Sequence, residues 1–233
     1  MKTNTFFISL AIVLASLIVT IGFNKGLNDF TTLQRSVTVK GLSQKDVEAD
    51  TLILPIKFVK SSNNLTNLYE DLEQDKQNII KFLKEQGVKD HEISYNAPNI
   101  IDRLSDPYAN DNQATYRYIG TGNLLIYTNN IKLGKNILEK ISVLAKEGIV
   151  LKIDDYEIEY LYTKLNDIKP QMIEEATLNA RNAAIKFAED SKSSLGKIKK
   201  ASQGQFNISN RDKNTPYIKT IRVVSTIEYY LKD

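Results

Sequence analysis

Two rhythms of apolar and polar residues take turns along this chain, and their order predicts its elements. "RSVTVKG" alternates with the period of a strand and is read as ending at Gly41. "TLILPIKFV" places Leu52, Leu54, Ile56 and Phe58 on one face, and Pro55, which cannot donate to a ladder, predicts an edge or a bulge there. The rhythm then changes. In "NNLTNLYEDLEQDKQNIIKFLKEQG" the residues Leu65, Leu68, Leu72, Ile79 and Leu83 recur at helical spacing, with Asn63 or Asn64 to cap the start and Gly87 to end it. "EISYNAPNIIDRL" reads as one strand and "TYRYIGTGNLLIYT" as its partner across the turn-rich loop "SDPYANDNQA". A second helix, "IKLGKNILEKISVLAKEG", is capped by Asn129 or Asn130 and ended by Gly148. "IVLKIDDYEIEYLYT" is strand-like, with Tyr156, Ile158, Tyr160 and Tyr162 alternating against charge. A third helix is predicted from Asp167 to Ser194 with Pro170 in its first turn. "GKIKKASQGQFNIS" is a weaker strand and "SNRDKNTP" a turn. "YIKTIRVVSTIEYYL" then puts Tyr217, Ile221, Val223, Ile227, Tyr229 and Leu231 on one face.

The third helix has one narrow stripe of mostly small residues: Ile173, Ala176, Ala180, Ala184, Phe187, Ser191 and Leu195, with Ala183 and Ala188 on the flank. Small residues let a helix approach a sheet closely, so the stripe is read as core before interface, and as interface before site. Helices interleaved with hairpin-linked strands predict an α+β class, with three helices packed on a largely antiparallel sheet. No stretch between residues 31 and 233 has the composition of a linker, and one domain is predicted there.

The first thirty residues stand apart. From Phe6 to Phe23 no side chain ionises, and a helix of that length spans about 27 Å, close to a bilayer core. An uncleaved N-terminal transmembrane helix is expected, followed by a short polar stalk, with Lys2 and the free amine favouring a cytoplasmic N-terminus and the rest of the chain exported. A cleaved signal peptide is the alternative, with Thr20-Ile21-Gly22 as a poor cleavage site.

Composition narrows the function classes. The 42% hydrophobic and 25% charged content is that of an ordinary folded domain. The net charge of +3 is interspersed, with no basic run framed by aromatics, which argues against a nucleic-acid partner. With no cysteine, the chain has no disulfide, thiol nucleophile, Cys-ligated metal or lipid attachment through Cys.

Candidate chemistry is sparse. His91 lies in a charged turn without neighbours suited to catalysis or metal binding. Asp154, Asp155, Glu157 and Glu159 fit a solvated face better than a cation site. "GTGN" at Gly120–Asn123 lacks the spacing of a dinucleotide fingerprint and reads as a bend or bulge. The sequons at Asn64 and Asn207 are common by chance, and most of the twelve tyrosines fall in strands, where sheet packing accounts for them. Arg117, Arg181 and Arg222 sit in largely apolar surroundings and are the candidate ligand-binding groups, for an anion; pairing with a nearby carboxylate is the plainer account of each. No catalytic residue, metal site or cofactor is assigned.

The third helix and its flank, "A-x-x-N-A-R-x-A-A-x-x-F-A-x-x-x-x-x-x-L-G-K-I" from Ala176 to Ile198, resemble the SIMPL-domain family, which includes periplasmic immunogenic and oxidative-stress defence proteins. "VTVKGLSQKDVEADTLILPIKF" is similar to the family's V-x-V-x-G opening, and "LKEQGVKDHEIS" to its helix–Gly-Val–acidic–Ile step. The likeness covers residues 36–231 and departs at Glu48-Ala49-Asp50, where the family has Pro-Asp. It implies an exported α+β protein, homo-oligomers that are ring-like in some members, and links to envelope and oxidative stress. It carries no catalytic residues. The expected role is therefore non-enzymatic, through self-assembly or partner binding, with an anion binder or enzyme built on scattered Arg, Tyr and Asp as the alternative.

Overall fold

The computed structural model describes residues 35–105 and 115–232, together with Ser16, Val19 and Thr20. Apart from those three helical residues, the predicted anchor and stalk lie outside the described residues, as does most of the loop before Thr115. Among the described residues no helix is long and apolar enough to cross a membrane.

Between residues 35 and 232 the described residues form an α+β fold with two sheets and three helices. In chain order the elements are β1 (Ser36–Glu48), β2 (Thr51–Ser62), α1 (Leu65–Glu85), β3 (Ile93–Tyr95), β4 (Asn99–Asp102), β5 (Tyr118–Thr128), α2 (Ile131–Lys140, extended by a turn at Ser142–Lys146), β6 (Val150–Lys152), β7 (Glu159–Leu161), α3 (Leu165–Asp190), β8 (Ser194–Gln203), β9 (Asn207–Asn210) and β10 (Ile218–Lys232). They form two compact units. The first draws on the chain up to Lys45, Asn166–Ser209 and the chain from Thr220; the second on Asp46–Leu165 and Asn210–Lys219.

In the first unit the strand order is β1-β10-β8, with β9 also on β10, and β8 antiparallel to β10. The inward residues Val37, Ile221, Val223, Ile227 and Tyr229 are buried, as the alternation predicts. Against Val37, Ile227 and Tyr229 pack Ala180 and Ala184 of α3. The stripe is core, but its membership differs from the prediction. The buried positions are Met172, Ala176, Ala180, Ala184 and Ala188 at strict four-residue spacing, while Phe187 is 52% exposed. Clearance is smallest at Ala176 and Ala180. A Cβ on Gly41 of β1 would lie 1.9 Å from the carbonyl oxygen of Ala176 and 2.3 Å from the nitrogen of Ala180. Strand and helix meet backbone to backbone, and a phenyl ring does not fit between them. Gly41 therefore does not end the strand; β1 runs on to Glu48. Two polar contacts fasten the same layers: Ser43 Oγ donates to Glu175 Oε2 at 2.8 Å, and Asn179 Nδ2 donates to the Leu42 carbonyl at 2.8 Å.

α3 begins two residues before the predicted start, so Pro170 stands in its second turn, where it removes the bond to the Asn166 carbonyl and its ring crowds that carbonyl. It ends four residues early because the chain turns at Lys192, which has a left-handed φ of 55°, and Ser194 is already paired with Lys232. Leu195 consequently belongs to β8, packed on the same cluster.

The second unit is a six-stranded antiparallel sheet. β5 pairs with β2 along its full length, β3 and β4 line the other side of β5, and β6 and β7 line the other side of β2. Leu52, Leu54, Ile56 and Phe58 of β2 and Leu124 and Ile126 of β5 are buried with Leu68, Leu72, Ile79 and Leu83 of α1 and Ile137 of α2. Each such side chain contributes on the order of 1.5–3 kcal/mol by leaving water. The caps fall where the sequence places them: Asn64 accepts from Asn67 N at 3.2 Å, Asn130 from Leu133 N at 3.1 Å, and Gly87 and Gly148 have positive φ.

Three expectations are corrected here. β2 is an interior strand without a bulge toward β5; Pro55 is tolerated because β7 pairs at Thr51–Ile53 and β6 at Lys57–Val59, leaving Pro55 between them. The segment after Gly148 is two short strands separated by a turn at Asp155–Glu157, and Tyr156 at that turn is 81% exposed. The run after Glu92 is likewise two strands, broken at Asn96-Ala97-Pro98.

Candidate functional site

The three candidate arginines are divided between the two units. Arg117, in the second unit, donates from Nε and Nη2 to the two carboxylate oxygens of Asp102 at 3.0 and 2.8 Å, and that bond holds Asp102 below the usual carboxylate range. Arg181 and Arg222, in the first unit, are exposed. Arg222 alternates with the buried Ile221 and Val223 and so faces away from α3, which carries Arg181. His91 is exposed in the turn Asp90–Glu92. Of the acidic run, Glu157 pairs with Lys57, and Asp154 lies 3.6 Å from Lys152. Among the described residues no three His, Asp or Glu side chains are placed to hold a metal. Asn64 is a helix cap and Asn207 opens β9.

The best-formed cleft is built from residues that local pattern did not single out. β3 pairs with β5 through Tyr95 and Leu124, and pairing resumes with β4 at Asn99 and Thr121. Between them Asn96, Ala97 and Pro98 leave the ladder, so Gly122 and Asn123 lack a strand partner on that edge. A cleft of about 200 Å³ lies there. Its walls are Phe58, Tyr69, Leu72, Tyr95, Ala97 and Pro98, and its polar groups are Glu73, Lys76, Asn96 and Asn123.

Each wall has a local cause. α1 presents Tyr69, Leu72, Glu73 and Lys76 at three- and four-residue spacing, so they share a face. Phe58 is directly opposite Gly122 in the β2–β5 register, and a Cβ on Gly122 would lie 2.1 Å from its Cζ. The ring therefore folds over the bare glycine and becomes part of the cleft. "GTGN" is neither a bend nor a bulge against β2, since the register through it is unbroken.

The electrostatics are nearly neutral. Lys76 Nζ lies 2.6 Å from Glu73 Oε2 and 4.5 Å from the Tyr95 ring centre. Lys76, and then Gln77, which donates at 2.9 Å, hold the Glu73 carboxyl below its ordinary pKa. Asn123 borders the cleft from β5, but its side chain alternates with Gly122 and Leu124 and so projects from the other face of the sheet, where Oδ1 is buried and accepts no hydrogen bond. The arrangement suits binding.

A larger, shallower depression of about 630 Å³ borders Tyr160, Tyr217, Lys135 and Lys213. Its Lys135 Nζ is committed to the Tyr217 ring, 2.9 Å from the centre, and Tyr217 stands edge-on to Tyr160 at 6.1 Å.

A family model described as "SIMPL: Protein of unknown function (DUF541)" matches residues 37–224 of the chain. No curated protein sequence matches it.

Proposed function

Since the chain belongs to the SIMPL family, we propose that it acts in the bacterial envelope by self-assembly rather than by catalysis, held at the inner membrane by Phe6 to Phe23 with its folded part in the periplasm. The observation that supports assembly is the pair of unlike edges on the first unit's sheet, whose strand order ends in β1 on one side and β8 on the other. β8 is mostly exposed along its ten residues and carries Lys197, Lys199 and Lys200. Pairing β8 with a two-fold copy of itself would set lysine against lysine, which is unfavourable. Pairing β8 of one copy with β1 of the next avoids that. Such a head-to-tail contact closes into a ring when its rotation allows, in keeping with the assemblies the family resemblance implies.

Size-exclusion chromatography with light scattering, on the full chain in mild detergent at micromolar concentration, tests this. Assemblies larger than a dimer are expected, and Ile198→Lys on the exposed β8 should reduce them. A strictly monomeric species sinks the proposal. The resemblance extends the role to oxidative or envelope stress, for which peroxide sensitivity of a deletion strain is the direct measurement.

A further inference from the structure

The depression bordered by Lys135, Tyr160, Lys213 and Tyr217 lies within the second unit and plays no part in the assembly argued above. Its volume of about 630 Å³ is in the range of small-molecule sites. Two of its lining groups are ammoniums without a counter-ion: among the described residues neither Lys135 nor Lys213 is in an ion pair. The Tyr217 ring holds Lys135 Nζ 2.9 Å from its centre, which fixes the ammonium in place but brings no negative charge. The same ring stands 6.1 Å from that of Tyr160, so Lys135 and Tyr160 converge on one end of the depression. The body of Tyr160 is buried, while its hydroxyl oxygen is accessible and has no protein partner among the described residues. Asn210 adds a further donor. The buried Lys219 donates from Nζ to Asn210 Oδ1. An ammonium only donates, so Asn210 turns its oxygen to Lys219 and keeps its NH2 for the depression it lines. Against these donors stands one carboxylate, Asp155, on the exposed turn. Leu138, one turn along α2 from Lys135, supplies an apolar wall. Donors with two uncompensated positive charges beside an apolar wall favour an anion that carries an apolar body.

We propose that this depression binds a small organic anion of one aromatic ring, of the aryl carboxylate class, with the carboxylate on Lys135 and the Tyr160 hydroxyl, Lys213 at the rim, and the ring against Leu138. The probe is 4-fluorobenzoate, followed by fluorine NMR line broadening with the full chain in a neutral detergent. The same detergent without protein serves as the blank. 4-Fluorobenzamide, which has the ring but no charge, and trifluoroacetate, which has the charge but no ring, are the comparators. 4-Fluorobenzoate should bind about five-fold more tightly than 4-fluorobenzamide, and more tightly than trifluoroacetate. Tyr160→Phe removes only the hydroxyl and should weaken 4-fluorobenzoate about five-fold, the worth of one hydrogen bond. Lys213→Gln, at an exposed turn residue, should weaken it about three-fold and leave 4-fluorobenzamide unchanged. Lys200→Gln, at an exposed residue of β8 in the first unit, should change neither. No binding of 4-fluorobenzoate up to about 10 mM, equal or tighter binding of either comparator, an equal loss in the two lysine variants, or undiminished binding in a folded Tyr160→Phe protein would each overturn the proposal. If Tyr160→Phe does not fold, the comparator ranking and the two lysine variants decide it.

Discussion

Replacing Gly41 with alanine adds one methyl group at the tightest point of the first unit. The new Cβ would stand 1.9 Å from the Ala176 carbonyl oxygen, 2.3 Å from Ala180 N and 2.9 Å from Ala180 Cα. Ordinary contact begins near 3.4 Å, so β1 and α3 must part by roughly 1.5 Å. All three atoms are backbone and cannot rotate away. A radial gap of about 0.5–1 Å already forfeits a quarter to a half of a dispersion contact, and Val37, Ala180, Ala184, Ile227 and Tyr229 would all loosen together. Overpacking typically costs about 1–3 kcal/mol, and with immobile neighbours Gly41→Ala belongs at about 3 kcal/mol. That corresponds to a fall in Tm of about 6–12 °C for a chain of this size. Urea and thermal unfolding followed by circular dichroism measure it. An unchanged midpoint would refute the reasoning. So would rescue by Ala180→Gly, because the clash is with backbone atoms, which a glycine at that helix position would still present.

Two further perturbations have defined outcomes. Ala180→Leu puts a branched side chain into a fully buried position facing Gly41 and should cost about 3 kcal/mol in urea unfolding; unchanged stability with loss of assemblies would make the stripe an interface instead. Asp212 is held at a pKa of about 2, first by the Thr215 hydroxyl and then by Arg211, so its folded value is depressed and its contribution is complete above the ordinary value of 3.8 and lost as pH falls through 2. The stability difference between wild type and Asp212→Asn should thus be flat from about pH 8 to about 4 and shrink below it, and a difference that persists to about pH 2 would contradict the assignment.

Much of the fold was legible because its signals are local. Asn64, Asn130, Gly87 and Gly148 delimit helices through bonds within four residues of themselves, and the alternation in β10 reports its buried face directly. The alanine stripe was legible as core, but not in its membership. Period 3.6 alone admits Phe187 as readily as Ala188; which of them is buried is set by how α3 lies on sheet residues far away along the chain. The tyrosine alternation through Tyr156 misled for a related reason. Asp154 and Asp155 favour a turn, and at that turn the chain leaves β6 before β7 returns to β2.

The candidate cleft was half visible. Asn96 and Pro98 inside an apolar run are strand breakers, and that alone argues for two strands. What it opens onto depends on register, which brings Gly122 and Asn123 opposite the break and Phe58 opposite Gly122. Gly41 and Gly122 share this logic. Local rules read the first as an ending and the second as a bend, yet both lie in uninterrupted strands, and in both the missing Cβ makes room for something distant in sequence. The difference lies in what fills the space. At Gly41 it is helix backbone, which cannot yield, so the glycine fixes the distance between two layers. At Gly122 it is the end of a Phe58 ring, a side chain that turns about its own bonds, so the glycine governs the shape of the neighbouring cleft. A glycine inside a strand therefore asks which distant group needs the space, and the answer separates a packing constraint from a binding surface.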